Sequence, residues 1–203
     1  MALTTVRSTG IGSLPAISGA NLTSLTAGNL TGTLPAINGA NLTGISSGLS
    51  EVDMWRLVAD FTQDAQPITQ SFERCDTDNH EKIGTGLSFS SGVWTFAVTG
   101  LYKITFNSQH RRNGENPSLE QVIQISTDGG SNWSTTAKGY PTLQEYTSTV
   151  YSSGSCHCLL NVTGTASNFK VRLFISNASD AYTNGSTSQN RTYILFERLG
   201  DAQ

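Results

Sequence analysis

The sequence predicts an all-β protein in two parts, an extended repetitive stem followed by a sandwich or jelly roll of about 150 residues. Three observations carry this expectation. Short segments alternate apolar and polar residues, as in NFKVRLFIS, where Phe169, Val171, Leu173 and Ile175 point one way and Lys170, Arg172 and Phe174 the other. Aromatic residues are absent before residue 51 and frequent after it. The segment from Leu14 to Ile45 repeats itself with a period that suits neither a helix nor a globular core.

That segment reads LPAISGAN, LTSLTAGN, LTGT, LPAINGAN, LTGI. Its large apolar residues are Leu14, Ile17, Leu22, Leu25, Leu30, Leu34, Ile37, Leu42 and Ile45, at spacings that mostly alternate three and five. A helix needs spacings of three and four and tolerates this density of Gly, Thr and Pro poorly, so the period argues against a coiled coil. Asn21, Asn29 and Asn41 follow small residues at positions suited to tight turns. One chain has too few apolar side chains here to offset the entropy of ordering its backbone. Burial against identical copies changes that balance, as in other repeats that fold only with neighbours. The nine residues are therefore expected to form the core of an intertwined stem over 14–50, with 1–13 as an anchor and 51–203 as the head; the alternative on its Gly/Ser/Thr content is a flexible low-complexity linker.

Within the head, WRLVADFT places Trp55, Leu57, Ala59 and Phe61 on one face of a strand. VWTFAV, LYKITFNSQ, LEQVIQIST, SCHCLLNV, NFKVRLFIS and RTYILFERL follow, separated by Gly-, Asn- and Ser-rich turns. STDGGSNWS reads as a hairpin turning at Asp128-Gly129-Gly130. QHRRNGENPS (109–118) and SDAYTNGSTSQNR (179–191) read as long polar loops. Binding residues concentrate on such loops, and Arg and Tyr supply contact energy, which makes Arg111, Arg112 and Tyr182 the candidate surface contacts.

Other functions are disfavoured. Charged residues are 13% of the chain and the net charge is -3, so neither a nucleic-acid surface nor a polybasic membrane patch is expected. No apolar run approaches the ~18 residues of a membrane span, and MALTTVRSTG lacks the apolar region of a secretion signal. Three cysteines are an odd number, too few for a disulfide scaffold. Cys156-His157-Cys158 could suggest zinc, but on a strand His157 points away from both thiols, which are expected in the core with Leu160 and Val162. Asp76, Asp78 and Glu81 fall short of a calcium-loop pattern and read as a solvated turn. Glu115 and Glu120 are the nearest approach to a carboxylate pair, and no nucleophile elbow, phosphate loop or zinc-protease motif is present. No catalysis, cofactor or metal is expected.

WRLVADFTQDAQPITQSFERCDTD, IGTGLSFSSGVWTFAVTGLYKITF and TYILFERLG resemble C1q/TNF-like jelly rolls over roughly 55–198, above all the heads of phage and marine-virus fibre proteins. LPAISGANLTG is similar to repeats upstream of such heads in phage tail and head fibres. The resemblance implies a homotrimer on the virion surface, made in the host cytoplasm, with three jelly rolls about an axis and a stem leading to a capsid or tail protein. At 203 residues the chain is short for a host-recognising long tail fibre, so a short accessory fibre or a decoration of the capsid is expected, with adhesion of its head to the host as an added role. The alternatives are a receptor-binding tip for a host glycan or outer-membrane protein, and a secreted C1q-like adhesion or lectin protein.

Overall fold

The computed structural model describes residues 49–77, 79–112, 119–144, 148–176 and 181–203. The predicted anchor, the stem residues from Leu14 to Ile45, and the chain as far as residue 48 lie outside the described residues. The described residues form twelve strands in order: β1 (Val52–Leu57), β2 (Phe61–Thr62), β3 (Phe72–Arg74), β4 (Ser88–Ser90), β5 (Val93–Thr95), β6 (Gly100–Arg112), β7 (Glu120–Ser126), β8 (Ser134–Gly139), β9 (Val150–Val162), β10 (Lys170–Ser176), β11 (Tyr182–Thr183) and β12 (Tyr193–Gly200).

The strands form a seven-stranded and a five-stranded sheet. In the larger, β6 pairs along its whole length with β9, from Gly100 opposite Val162 to Arg112 opposite Val150. Its other edge carries β12 and then β11. β1 lies outside β12, β3 lies outside β1, and β2 pairs with β11. The smaller sheet runs β4-β5-β10-β7-β8.

Alternation decides which residues meet between the sheets. Tyr102, Ile104 and Phe106 of β6 and Ile194 and Phe196 of β12 are buried, facing Ile123 and Ile125 of β7 and Val171, Leu173 and Ile175 of β10. Trp94 of β5 sits among Phe72, Phe89 and Phe196, with ring centroids 4.9, 4.6 and 6.2 Å away. NFKVRLFIS buries Phe169, Val171, Leu173 and Ile175, the face its sequence predicts. Cys156 and Val162 are likewise buried, Cys158 and Leu160 half-buried, and His157 exposed.

Two expectations are corrected. WRLVADFT is not one strand: β1 stops at Leu57, Ala59 is exposed, and β2 begins at Phe61. The break lets Ala59 pass under Gly185, so closely that a Cβ there would lie 2.4 Å from the Ala59 nitrogen, while Ser186 N–H bonds to the Leu57 carbonyl. The polar stretches at 109–118 and 179–191 are not loops throughout. Gln109–Arg112 end β6 because β9 and β11 flank them on both edges, and Tyr182–Thr183 form β11.

Two buried carboxylates organise the turn before β4. Glu51 accepts the N–H groups of Thr85 and Gly86 at 3.0 and 2.8 Å, and Asp53 accepts that of Leu87 at 2.7 Å. Gly84 and Gly86 have φ of 76° and 72°, and a Cβ on either would meet a carboxylate oxygen at 2.3 or 2.7 Å. Only glycine lets the backbone both turn this way and come so near.

Candidate functional site

The outward face of the seven-stranded sheet is the most distinctive surface among the described residues. Register places Val52, Glu197, Lys103 and Leu159 in one row, and Met54, Leu195, Thr105 and His157 in the next. A third row holds Arg56, Tyr193, Asn107 and Ser155. Lys103 pairs with Glu197 at 3.2 Å, and Arg56 is buried on this face by its bond to Glu73 at 2.6 Å. Leu159 is 62% exposed and Leu199 48%. Large apolar groups held out on a rigid sheet among satisfied ion pairs make a surface ready to be covered.

The sequence-predicted contacts lie near one end of this face. Arg111 of β6 is cross-strand to both Tyr182 and Tyr151. Its guanidinium stands 4.1 Å over the Tyr182 ring and donates to Asp60 at 2.8 Å and to Asn184 at 2.9 Å. Burial raises the Asp60 carboxyl, but the Arg111 guanidinium and the Gly185 N–H together outweigh it and hold the group below its ordinary range. The structure thus brings Arg111 and Tyr182 together with Tyr151, while Arg112 closes β6 opposite Val150.

Beneath that corner lies a polar cluster in the core. His110 is fully buried, with Nε2 2.7 Å from Ser108 Oγ and Nδ1 3.3 Å from Thr183 Oγ1. Ser108 donates to Gln121 Oε1, so its hydroxyl accepts the Nε2 proton, and Nδ1 is left to accept from Thr183. Gln121 donates to the Phe106 carbonyl at 3.3 Å and hydrogen-bonds the Cys156 thiol. The ring is neutral, its pKa lowered to about 4 by burial.

The unfolded chain, with an ordinary histidine value near 6.5, therefore takes up this proton before the native protein does. Stability from His110 is complete above about pH 6.5 and drains away as pH falls toward 4, by about 3 kcal/mol in all. Urea unfolding at fixed protein concentration is expected to show this slope in the wild type. The difference between wild type and His110→Gln should lose its pH dependence below pH 4; parallel curves throughout would contradict the assignment.

No protein-family profile matches the chain, and no curated protein matches it. Among solved structures, Eiger TNF from S. frugiperda is similar at a TM-score of 0.51 and 11% identity, over 77% of this chain and 96% of that one. Murine APRIL at pH 8.5 is similar at 0.50 and 14%, over 73% and 98%. The fold is a TNF-like jelly roll. In this jelly roll the long β6 and β9 and the late β12 build the sheet whose outward face is described above.

The remaining sequence candidates take ordinary places in the jelly roll. His157 is cross-strand to Thr105 and exposed, on the opposite face from the thiols of Cys156 and Cys158. Burial pushes both thiols up to about 11, away from the thiolate that binds metal. Asp76 and Glu81 are exposed, while Asp78 and Glu115 lie outside the described residues. Glu120 is paired with Lys138 across β7 and β8. Among the described residues no three His, Cys, Asp or Glu side chains are grouped to hold a metal.

Sequence reasoning missed the outward apolar face and the His110 cluster. The signal for the first was present: Leu159 alternates out of phase with Cys156, Cys158 and Leu160, and Leu195 with Ile194 and Phe196. The second gave none, because Ser108 read as a polar residue near the end of a strand and His110 as part of a polar loop.

Proposed function

We propose that the chain is a non-enzymatic structural protein of a virus particle, a homotrimeric fibre or decoration projecting from a phage capsid or tail. The observation that carries the trimer is the outward face of the seven-stranded sheet, where Leu159, Leu195, Met54 and Leu199 sit among paired charges. Three such faces turned toward a common axis bury these groups against one another and leave the five-stranded sheet to solvent. The leucine repeat adds its own requirement for neighbouring chains. Its similarity to fibre repeats supports the virion as the place, with the N-terminal segment attached to the particle.

In this reading the chain works by projection and contact. A head that also adheres to the host is favoured by the Arg111, Tyr182 and Tyr151 corner, since exposed tyrosines with an arginine held over one ring supply contact area at little entropic cost.

Sedimentation velocity on the full chain tests the assembly. The expected mass is that of three copies. Leu159→Asp changes an outward side chain that a monomer does not need, and is expected to weaken association at least ~10-fold, equivalent to about 1.4 kcal/mol. A wild type that sediments as a single copy at micromolar concentration sinks the proposal. Imaging of particles decorated with an antibody to the head tests the location.

A further inference from the structure

The second sheet carries a groove of different chemistry. Lys170 and Arg172 point the same way from β10, opposite Thr95 and Val93 of β5, and the turn between β7 and β8 rises beside them. Ser90, Val93, Thr95, Gly129, Gly130, Trp133 and the two cations line an open groove of about 440 Å³. That volume lies within the ~300–1,000 Å³ common for small-ligand pockets.

Arg172 is held in place, and neither cation has a counter-charge among the described residues. The Arg172 guanidinium is 4.2 Å from the Trp133 ring and 5.0 Å from that of Phe174, and its Nε donates to Gln124 at 2.8 Å. Among the described residues no carboxylate is within ion-pair distance of Lys170 or Arg172. The nearest acid along the turn, Asp128, is engaged elsewhere. It accepts from Asn132 N–H at 2.9 Å, from the Asn132 amide at 2.7 Å and from Ser126 at 2.8 Å. These bonds, led by the two from Asn132, hold it at about 2, so it stays ionised and turned into its own loop. Burial lowers the Arg172 pKa, as it does where no anion offsets lost hydration.

Two cations two residues apart on one face of β10 repel each other, a cost that an anion between them removes. The rest of the lining sets what carries the anion. Trp133 is held at the rim by its own bond from Nε1 to the Gly130 carbonyl at 3.0 Å, and presents apolar surface beside the hydroxyls of Ser90 and Thr95. An indole next to hydroxyls and a charge pair matches a pyranose that bears a carboxylate.

We propose that this groove is a binding site for an acidic saccharide, its carboxylate between Lys170 and Arg172 and its ring against Trp133. The site is on the sheet opposite the proposed trimer face, so three copies would display it outward.

Calorimetric titration of the full chain with a hyaluronan tetrasaccharide, which carries glucuronate, tests it beside neutral chitotetraose and sodium acetate. Saturable binding of the acidic sugar is expected, with both controls at least ~10-fold weaker. Lys170→Gln, a half-exposed position outside the core, is expected to weaken binding a further ~10-fold with its melting temperature unchanged, and Trp133→Phe to remove the accompanying change in indole fluorescence. Equal binding of the neutral sugar overturns the charge reading, equal binding of acetate the sugar reading, and absence of saturable binding or indifference to Lys170→Gln the site itself.

Discussion

Replacing Trp94 with alanine is expected to destabilise the head by about 3–5 kcal/mol, the range for deleting a buried large aromatic side chain. Trp94 has no exposed surface and joins the two layers. It touches Phe89 from its own sheet and Phe72 and Phe196 from the other, the Phe72 contact edge-on with an interplanar angle of 79°. Few side chains are volume-matched to that gap, and alanine would leave a cavity between sheets that cannot close without breaking register. The indole N–H of Trp94, however, has no hydrogen-bond partner although it is buried. Trp94→Phe removes that orphan donor while keeping an aromatic ring, and is expected to cost less than half as much. Urea midpoints at fixed protein concentration decide between them. Equal losses would mean that the ring contacts are not what joins the layers.

Asp53→Ala is expected to cost about 3 kcal/mol, and more than its burial alone suggests. The carboxylate is 1% exposed and accepts from Arg74 Nε at 2.9 Å and Nη2 at 3.1 Å, besides the Leu87 N–H. Removing it strands an arginine that is only 23% exposed, which otherwise bonds the Leu87 carbonyl at 2.6 Å and lies 4.5 Å over Trp55. Breaking one half of such a pair is costly because the other half stays in the protein. The double variant Asp53→Ala/Arg74→Ala should therefore lose less than the two single losses added together, with a coupling of about 1–3 kcal/mol. Proteolysis should locate the damage between Ile83 and Leu87, where the backbone loses its acceptor. Strict additivity would show that the two groups act separately.

How legible these features were in the sequence depended on the length over which a pattern runs. β6, β10 and β12 each offer several turns of the two-residue period, so their core faces could be read directly. β2 and β11 have two residues each and β3 and β4 three, too few to show any period, and they form because neighbouring strands supply the partners. No sequence pattern singled out Asp53 and Arg56, which are buried because β3 brings Arg74 and Glu73 beside them. Arg111 and Tyr182 could be chosen by residue type, but their pairing follows from β6 meeting β11, a contact between distant segments. The groove cations were visible as the polar side of NFKVRLFIS. Their company with Trp133 was not, since a hairpin turn places it there.

The position of β12 between β6 and β1 has a consequence for synthesis. On the ribosome, β1 emerges early and waits, because its neighbour at Glu197 is translated almost a full head-length after Val52. No partial product has a closed large sheet, and the nascent polypeptide must hold greasy strands apart until the final one arrives to wedge into the middle. A message truncated just before Tyr193 would thus yield a product missing its keystone, fit for degradation rather than assembly.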